Sequence, residues 1–376
     1  MKLSLSAHLG ASCPDAAIAS SLFQSRFWAR FQKSRGVEAR LFSLALGDEF
    51  AVREPQLLSV LVRTGAAGIR YAYVPRGPGI DPGEAGRGAF LEQLSVELAP
   101  HLGDGVVCIR FDTAFESPYT DDEYWTSSGQ WKGAPRAELR ELRMNFGTGQ
   151  RALRKSPTDH LSPDTVILDL RGTEDEILAR MRQTTRNSVR KAVKSGAEFR
   201  VGGAESLEDW HRLYRETAER KGFYFEELPY FETLLSTASG AETHGPADIS
   251  AGSSAEPRFA VITACKDGRL LAGCVVAAFG AQGYYLYAGS STEMRECMPN
   301  YGIQLEAIRW LKGQGCLSYD LMGVPPNGDP NHSMYGLYTF KTGLGGRIAH
   351  YAGCWDWPLD ADAYAAFRNA ENICLS

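Results

Sequence analysis

Apolar residues recur along this chain with two periods, and the switches between them mark its elements. Residues 20–32 (SSLFQSRFWARFQ) form an aromatic-rich amphipathic segment. Val60, Val62 and Ile69 lead into YAYVPRGPG, a short strand ended by Pro75, Gly77 and Pro78. Phe90, Leu91, Leu94 and Leu98 fall at helical spacing, and VVCIRFD (106–112) alternates as a strand should. Residues 113–163 are polar and carry Pro118, Pro135, Pro157 and Pro163, which puts a domain boundary near 150–165. The strand TVILDL (165–170) follows, then one long helix. Thr173 and Glu176 make its capping box, Ile177, Leu178, Met181, Val189, Ala192 and Val193 its apolar face, and Gly196 its stop. A second helix runs from Ser206 through Trp210, Leu213, Tyr214 and Thr217 to Lys221. Residues 236–257 are rich in Ser, Ala, Gly and Thr and predict a long flexible surface loop. FAVITACK and RLLAGCVVAAF, joined by Asp267-Gly268, predict a hairpin, and GYYLYAGSS a third strand. A helix over 302–313, the strands LSYDLMG and RIAHYAG, and a helical tail over 361–369 complete the pattern. Helices interleaved with an antiparallel hairpin predict an α/β or α+β protein with a mixed sheet. Both halves share a helix–strand–strand rhythm without a sequence repeat.

Length and composition narrow this picture. At roughly 100–200 residues per domain, 376 residues predict about two domains. An apolar content of 44% excludes a predominantly disordered chain. With 40 Lys and Arg against 45 Asp and Glu, the net charge of −5 argues against a generic nucleic-acid binder, though a local basic patch is compatible with it. Eight cysteines include no C-x-x-C pair, and several sit in apolar runs, as expected of buried reduced thiols in a cytoplasmic protein. The N-terminal twenty residues lack a signal-peptide core, and no stretch reaches the ~18 apolar residues of a membrane span. Seven unclustered histidines predict no metal site.

Several groups have chemical potential. Arg182, Arg186, Arg190 and Lys194 are spaced four apart on the predicted helix, a cationic face with few acids that suits phosphates. Arg220 and Tyr224 flank a helix end at Gly222 and suit a phosphate or carboxylate, although ordinary helix-end charge explains the arginine equally. Tyr284, Tyr285 and Tyr287 lie on a strand, the last two on one face. Lys341, read as a loop lysine after a Pro/Gly/Asn stretch and thus ordinarily exposed, lies beside Phe340 and ahead of glycines and offers positive charge to a developing oxyanion. The turn at Pro75-Arg76-Gly77-Pro78 brings backbone amides toward a ligand or is merely a turn. G-x-x-x-x-G-K-[ST], H-E-x-x-H and G-x-S-x-G motifs do not occur.

In this order VPRGP (74–78), IRFD (109–112), LDLRGTEDEILARMRQTTRNSVRKAVKSG (168–196), YRETAERKGF (214–223), YLYAGSS (285–291), YGIQLEAIRWLKGQG (301–315), YDLMG (319–323) and GLYTFKTGLGG (336–346) resemble the FemABX peptidyltransferases. The resemblance covers most of the chain. It implies two tandem acetyltransferase-like (GNAT) domains: residues 1–164 with about 353–376 on the acceptor side, and residues 165–352 on the aminoacyl-tRNA side. It implies transfer of an amino acid (Gly, Ala or Ser class) from aminoacyl-tRNA to a stem-peptide amine of a UDP-linked or lipid-linked muropeptide, starting the interpeptide bridge. No cofactor is implied, because the ester is already activated, and peripheral contact with a membrane is left open. Residue by residue, Phe340 and Lys341 match the family's Phe-Lys pair, the lysine stabilising the tetrahedral oxyanion and the tRNA-end ester. Arg220 and Tyr224 match acceptor-phosphate binders, Tyr287 or Tyr285 a cleft tyrosine, and Lys33 an N-terminal lysine. Asp112 matches an acid after a strand and is a candidate base; Thr113 stands where the family has Pro. Arg182, Arg186 and Arg190 are the expected tRNA contacts. The family's coiled-coil arm has no counterpart, so the likeness is to the armless, FemX-like type. The alternative keeps the fold and changes the donor to an acyl-CoA; it predicts an R/Q-x-x-G-x-G/A pyrophosphate loop, which residues 166–350 lack.

Overall fold

A computed structural model describes residues 3–8, 17–47, 54–117, 152–239 and 256–375. They divide into two compact units, Met1–Pro163 with His350–Ser376, and Asp164–Ala251 with Ala255–Ala349.

In the first unit an amphipathic helix α1 (Arg26–Ser34) is capped by Ser25, whose side chain accepts from the Trp28 N–H. Strands β1 (Leu3–His8), β2 (Glu38–Leu46), β3 (Gln56–Thr64) and β4 (Arg70–Val74) form an antiparallel meander. Helix α2 (Arg87–Leu98) buries Phe90, Leu91, Leu94 and Leu98 and returns the chain to β5 (Val106–Glu116), parallel to β4. The short β6 (Arg154–Lys155) and β5 both pair with β13 (Arg347–Pro358), antiparallel, and helix α9 (Ala361–Leu375) ends the chain. Arg110 of β5, wholly buried, ties these pieces together. Its fork donates to Asp356 of β13 at 2.7 and 2.9 Å and to Glu371 of α9 at 2.7 and 2.8 Å.

The second unit repeats this plan. Strand β8 (Glu198–Gly202), β9 (Arg258–Lys266), β10 (Arg269–Phe279) and β11 (Gln282–Ser290) form an antiparallel meander. Asp267 and Gly268 both take positive φ in the two-residue β9–β10 turn, as the Asp-Gly signal requires. Helix α7 (Pro299–Gly313) then leads to β12 (Ser318–Gly323), parallel to β11, and β7 (Asp164–Asp169) closes the order β7-β12-β11-β10-β9-β8. Each unit is thus a mixed sheet in which a meander, a helix and a parallel strand follow in turn. The core here draws on alternate residues of these strands, such as Val166, Ile262, Cys274 and Val276, and on Ile303, Ile308 and Leu311 of α7.

Three expectations are corrected. The predicted single helix over 173–196 is two, α3 (Glu174–Arg180) and α4 (Gln183–Lys194), separated by Met181 and Arg182 in extended conformation. The capping box at Thr173 is as predicted; the break is a tertiary effect, because the Arg182 N–H is taken by the Gly343 carbonyl at 2.9 Å. The predicted loop over 236–257 begins inside a helix: after α5 (Leu207–Lys221), α6 (Leu228–Ser239) carries the chain to Ser239, and 240–255 lie outside the described residues. The segment bearing Lys341, read as part of a loop, is helix α8 (Tyr335–Gly343).

Candidate active site

Lys341 lies in the last turn of α8 and is only 5% exposed. Close backbone packing seats it. A Cβ on Gly345, whose φ is +88°, would meet the Arg180 carbonyl oxygen at 2.5 Å, so the chain leaving α8 lies flat against the α3–α4 junction only because no side chain intervenes. The Lys341 Nζ donates to the carbonyls of Gly323 at 2.7 Å and Met322 at 3.3 Å, at the end of β12. The Tyr285 ring of β11 lies 5.7 Å away. Burial pulls the ammonium down to about 7, against a smaller opposing pull from the carboxylate of Asp320. Near neutral pH this amine therefore exists in both charge states, unlike a surface lysine.

Phe340 is half-buried against the core, edge-on to Tyr301 with ring centroids 5.2 Å apart. An apolar ring has no proton to give; its place is one of packing beside the lysine. Tyr285 is buried, with its phenol pushed upward by burial and its ring near that of Tyr319. Tyr287, two residues along β11, is not beside Lys341's carbonyl seat but in an aromatic cluster with Tyr214, Tyr230 and Phe231. Its hydroxyl is 2.6 Å from that of Tyr230. Gly289 makes this cluster: a Cβ there would lie 2.7 Å from the Tyr214 Cα, so α5 rests directly on β11.

Arg220 stands at the end of α5, where Gly222 provides a left-handed cap. Its guanidinium donates to the Ser290 carbonyl at 2.6 Å, which places it at the end of the strand that carries both tyrosines. Tyr224 is 82% exposed. The basic stripe is divided in use. Arg182 and Arg190 are exposed, whereas Arg186 folds back and donates to the carbonyls of Ala179 at 2.9 Å and of Met181, capping the end of α3.

In the first unit, Lys33 is exposed in the last turn of α1. Asp112 has no exposed surface. Its Oδ2 accepts from the Tyr73 hydroxyl at 2.8 Å and the Leu161 N–H at 3.1 Å, and its Oδ1 is 3.5 Å from the Arg76 guanidinium. Burial raises its carboxyl above the usual range while Arg76 opposes the rise. Arg76 itself, at φ +43° in the turn after β4, lies 4.6 Å over the Tyr351 ring and donates to the Ser162 carbonyl. Asp112 is therefore an interior anchor of Tyr73, Arg76 and the backbone near 161, and a role as an openly accessible base is not what this geometry offers. Sequence reasoning did not select Tyr73, Tyr230, Asp320 or Thr165. Each acts through a partner tens to hundreds of residues away, and only the Pro-Arg-Gly-Pro turn marked Arg76. Among the described residues no group of three or more His, Cys, Asp or Glu could hold a metal, and no helix is long and apolar enough to cross a membrane.

The chain is similar to several known proteins. The chain is 25% identical over 258 residues to the lipid II:glycine glycyltransferase of Staphylococcus saprophyticus, covering 56% of this chain and 62% of that one. It is 24% identical over 277 residues to the corresponding protein of Staphylococcus epidermidis, covering 60% and 65%. The chain thus spans somewhat under two thirds of the length of these curated relatives. The crystal structure of FemX superposes with a TM-score of 0.69 at 18% identity, over 93% of this chain and 94% of FemX, a likeness of fold. The profile of the FemAB family matches residues 15–239 and 259–372, taking in both units and every candidate residue named above, and the chain belongs to that family.

Proposed function

We propose that this protein is an aminoacyltransferase of peptidoglycan bridge synthesis. It moves an amino acid of the Gly, Ala or Ser class from aminoacyl-tRNA to the side-chain amine of a precursor stem peptide. The names of its relatives favour a lipid-linked acceptor over a UDP-linked one. The observation that carries the reading is Lys341: a buried amine, pulled down to about 7, at the position of the family's Phe-Lys pair.

The chemistry asks little of the protein beyond position and charge. The acceptor nitrogen bonds to the ester carbonyl carbon, and the bond from that carbon to the tRNA ribose oxygen breaks. The nitrogen gives up one proton and the ribose oxygen gains one. The Lys341 ammonium stabilises the negative charge that builds on the carbonyl oxygen at the tetrahedral stage. Positioning of an uncharged amine supplies much of the remaining acceleration. Arg220 and Tyr224 are assigned to acceptor phosphates, Tyr285 and Tyr287 to the substrate cleft, and Arg182 and Arg190 to tRNA; Lys33, in the first unit, is assigned to substrate binding. Asp112 is assigned to holding Tyr73 and Arg76 in place. The first unit is the acceptor side and the second the donor side, in the cytoplasm where charged tRNA is found.

The test is transfer of labelled Gly, Ala or Ser from charged bulk tRNA to lipid-linked and UDP-linked pentapeptide acceptors. Wild type transfers one of these labels, and Lys341→Met does so at least ~100-fold more slowly, as for loss of an oxyanion-stabilising donor. Acylation of the acceptor from acetyl-CoA, with no transfer from any tRNA, would overturn the reading in favour of a CoA-dependent acyltransferase.

A further inference from the structure

The turn that ends β12 is bent in a way its sequence does not call for. Met322 adopts φ +58°, the left-handed region that side chains disfavour, although a glycine stands next to it. Two buried side chains account for the bend. Asp320 Oδ1 accepts the Met322 N–H at 2.7 Å, and the hydroxyl of Thr165, on the neighbouring strand β7, donates to the same oxygen. Thr165 has no exposed surface and Asp320 is 4% exposed. The consequence is that the carbonyls of Met322 and Gly323 both receive the Lys341 ammonium. Among the described groups against that amine, Asp320 of β12 supplies the charge, and Tyr285 of β11 is titratable only far above neutrality.

We infer that Asp320, held by Thr165, is a positioning residue for Lys341: it bends the Met322 turn into a two-carbonyl seat and supplies the negative charge that retains the ammonium there. The inference rests on the reading of Lys341 as the reactive lysine. An aspartate does this better than a neutral acceptor, because one oxygen organises the backbone while the carboxylate charge acts through space on the amine.

The experiment is an NMR titration of the full chain with lysine labelled at the ε-carbon, using Lys341→Met to identify the resonance. Asp320→Asn keeps the shape and an acceptor oxygen but removes the charge. The Lys341 midpoint is expected to fall by roughly one pH unit or more. In the transfer assay at pH 7, kcat is expected to fall by about fivefold or more with KM for the charged tRNA little changed, and the acidic-to-neutral pH profile to move with the midpoint. Thr165→Val, which removes the donor at similar volume, is expected to move the midpoint the same way by roughly half a unit, and Thr165→Ser to restore it. An unmoved midpoint in an Asp320→Asn protein with wild-type circular dichroism overturns the inference. If that variant does not fold, an unmoved midpoint in Thr165→Val does so. Absence of tRNA-dependent transfer by wild type, with the midpoints moving as expected, sinks the functional reading and leaves the positioning intact. Transfer by wild type with unmoved midpoints does the reverse.

Discussion

A lysine sealed beneath a helix is expensive, and the structure meets the cost of Lys341 with two carbonyls and one nearby carboxylate. The remaining cost should appear as a pH dependence of stability. The native amine titrates at about 7 and the unfolded one at 10.5, so between these values the unfolded chain holds a proton that the native chain has lost. Stability must therefore rise with pH across that window, by at most about 1.4 kcal/mol per pH unit for one proton. Chemical denaturation from pH 7 to 10.5 should reveal this rise in wild type and its absence in Lys341→Met; parallel curves would mean that the native lysine titrates normally. The lysine itself was legible as a candidate, from its glycine-rich setting and its family likeness. Its burial was not, because burial depends on β12, which lies some twenty residues upstream, and on the bend that Asp320 and Thr165 impose.

Elements defined by local chemistry were readable: the Thr173–Glu176 capping box, the Asp267-Gly268 turn and the Gly222 cap all stand where their residue types put them. The break between α3 and α4 was not, since both Met181 and Arg182 suit a helix and only α8's packing against them decides otherwise. Helix α6 was hidden for a related reason. Its last four residues, Ser236 to Ser239, blend into the Ser/Ala/Gly/Thr-rich stretch, while Phe231 and Leu234 are buried by tertiary packing. The α8 junction gives a paired prediction. Gly345→Ala should destabilise the protein by about 1–3 kcal/mol and lower transfer activity, because the methyl meets the Arg180 carbonyl and the backbone is left-handed. Gly336→Ala, in the first turn of the same helix with open space around it, should be neutral or slightly stabilising. Equal melting temperatures for the two variants would contradict the close packing that seats Lys341.

Taken as a molecule, the chain follows one plan twice, a meander, a helix and a parallel strand, on a net charge of −5. Under the proposed reaction an acidic protein must place its cations for tRNA locally, and the second unit has Arg182 and Arg190 exposed while Arg186 is occupied with the backbone. Alanine at Arg182 or Arg190 should weaken tRNA binding and lower the slope of log affinity against log salt by about one each. Alanine at Arg186 should instead lower the melting temperature with little change in that slope; filter binding over a range of salt, with parallel melts, decides between these outcomes. The class of fold, part of the strand and helix order, and the family were carried by local signals: alternation, caps, turns and motif order, which act over a few residues and survive without knowledge of the fold. The geometry of the candidate site was decided only by folding. The buried state of Lys341, the Asp320–Thr165 support, the Tyr230–Tyr287 contact and the division of labour among the arginines all depend on contacts between elements distant in the chain. Burial and charge coupling are properties of a packed interior, and no stretch of sequence contains them by itself.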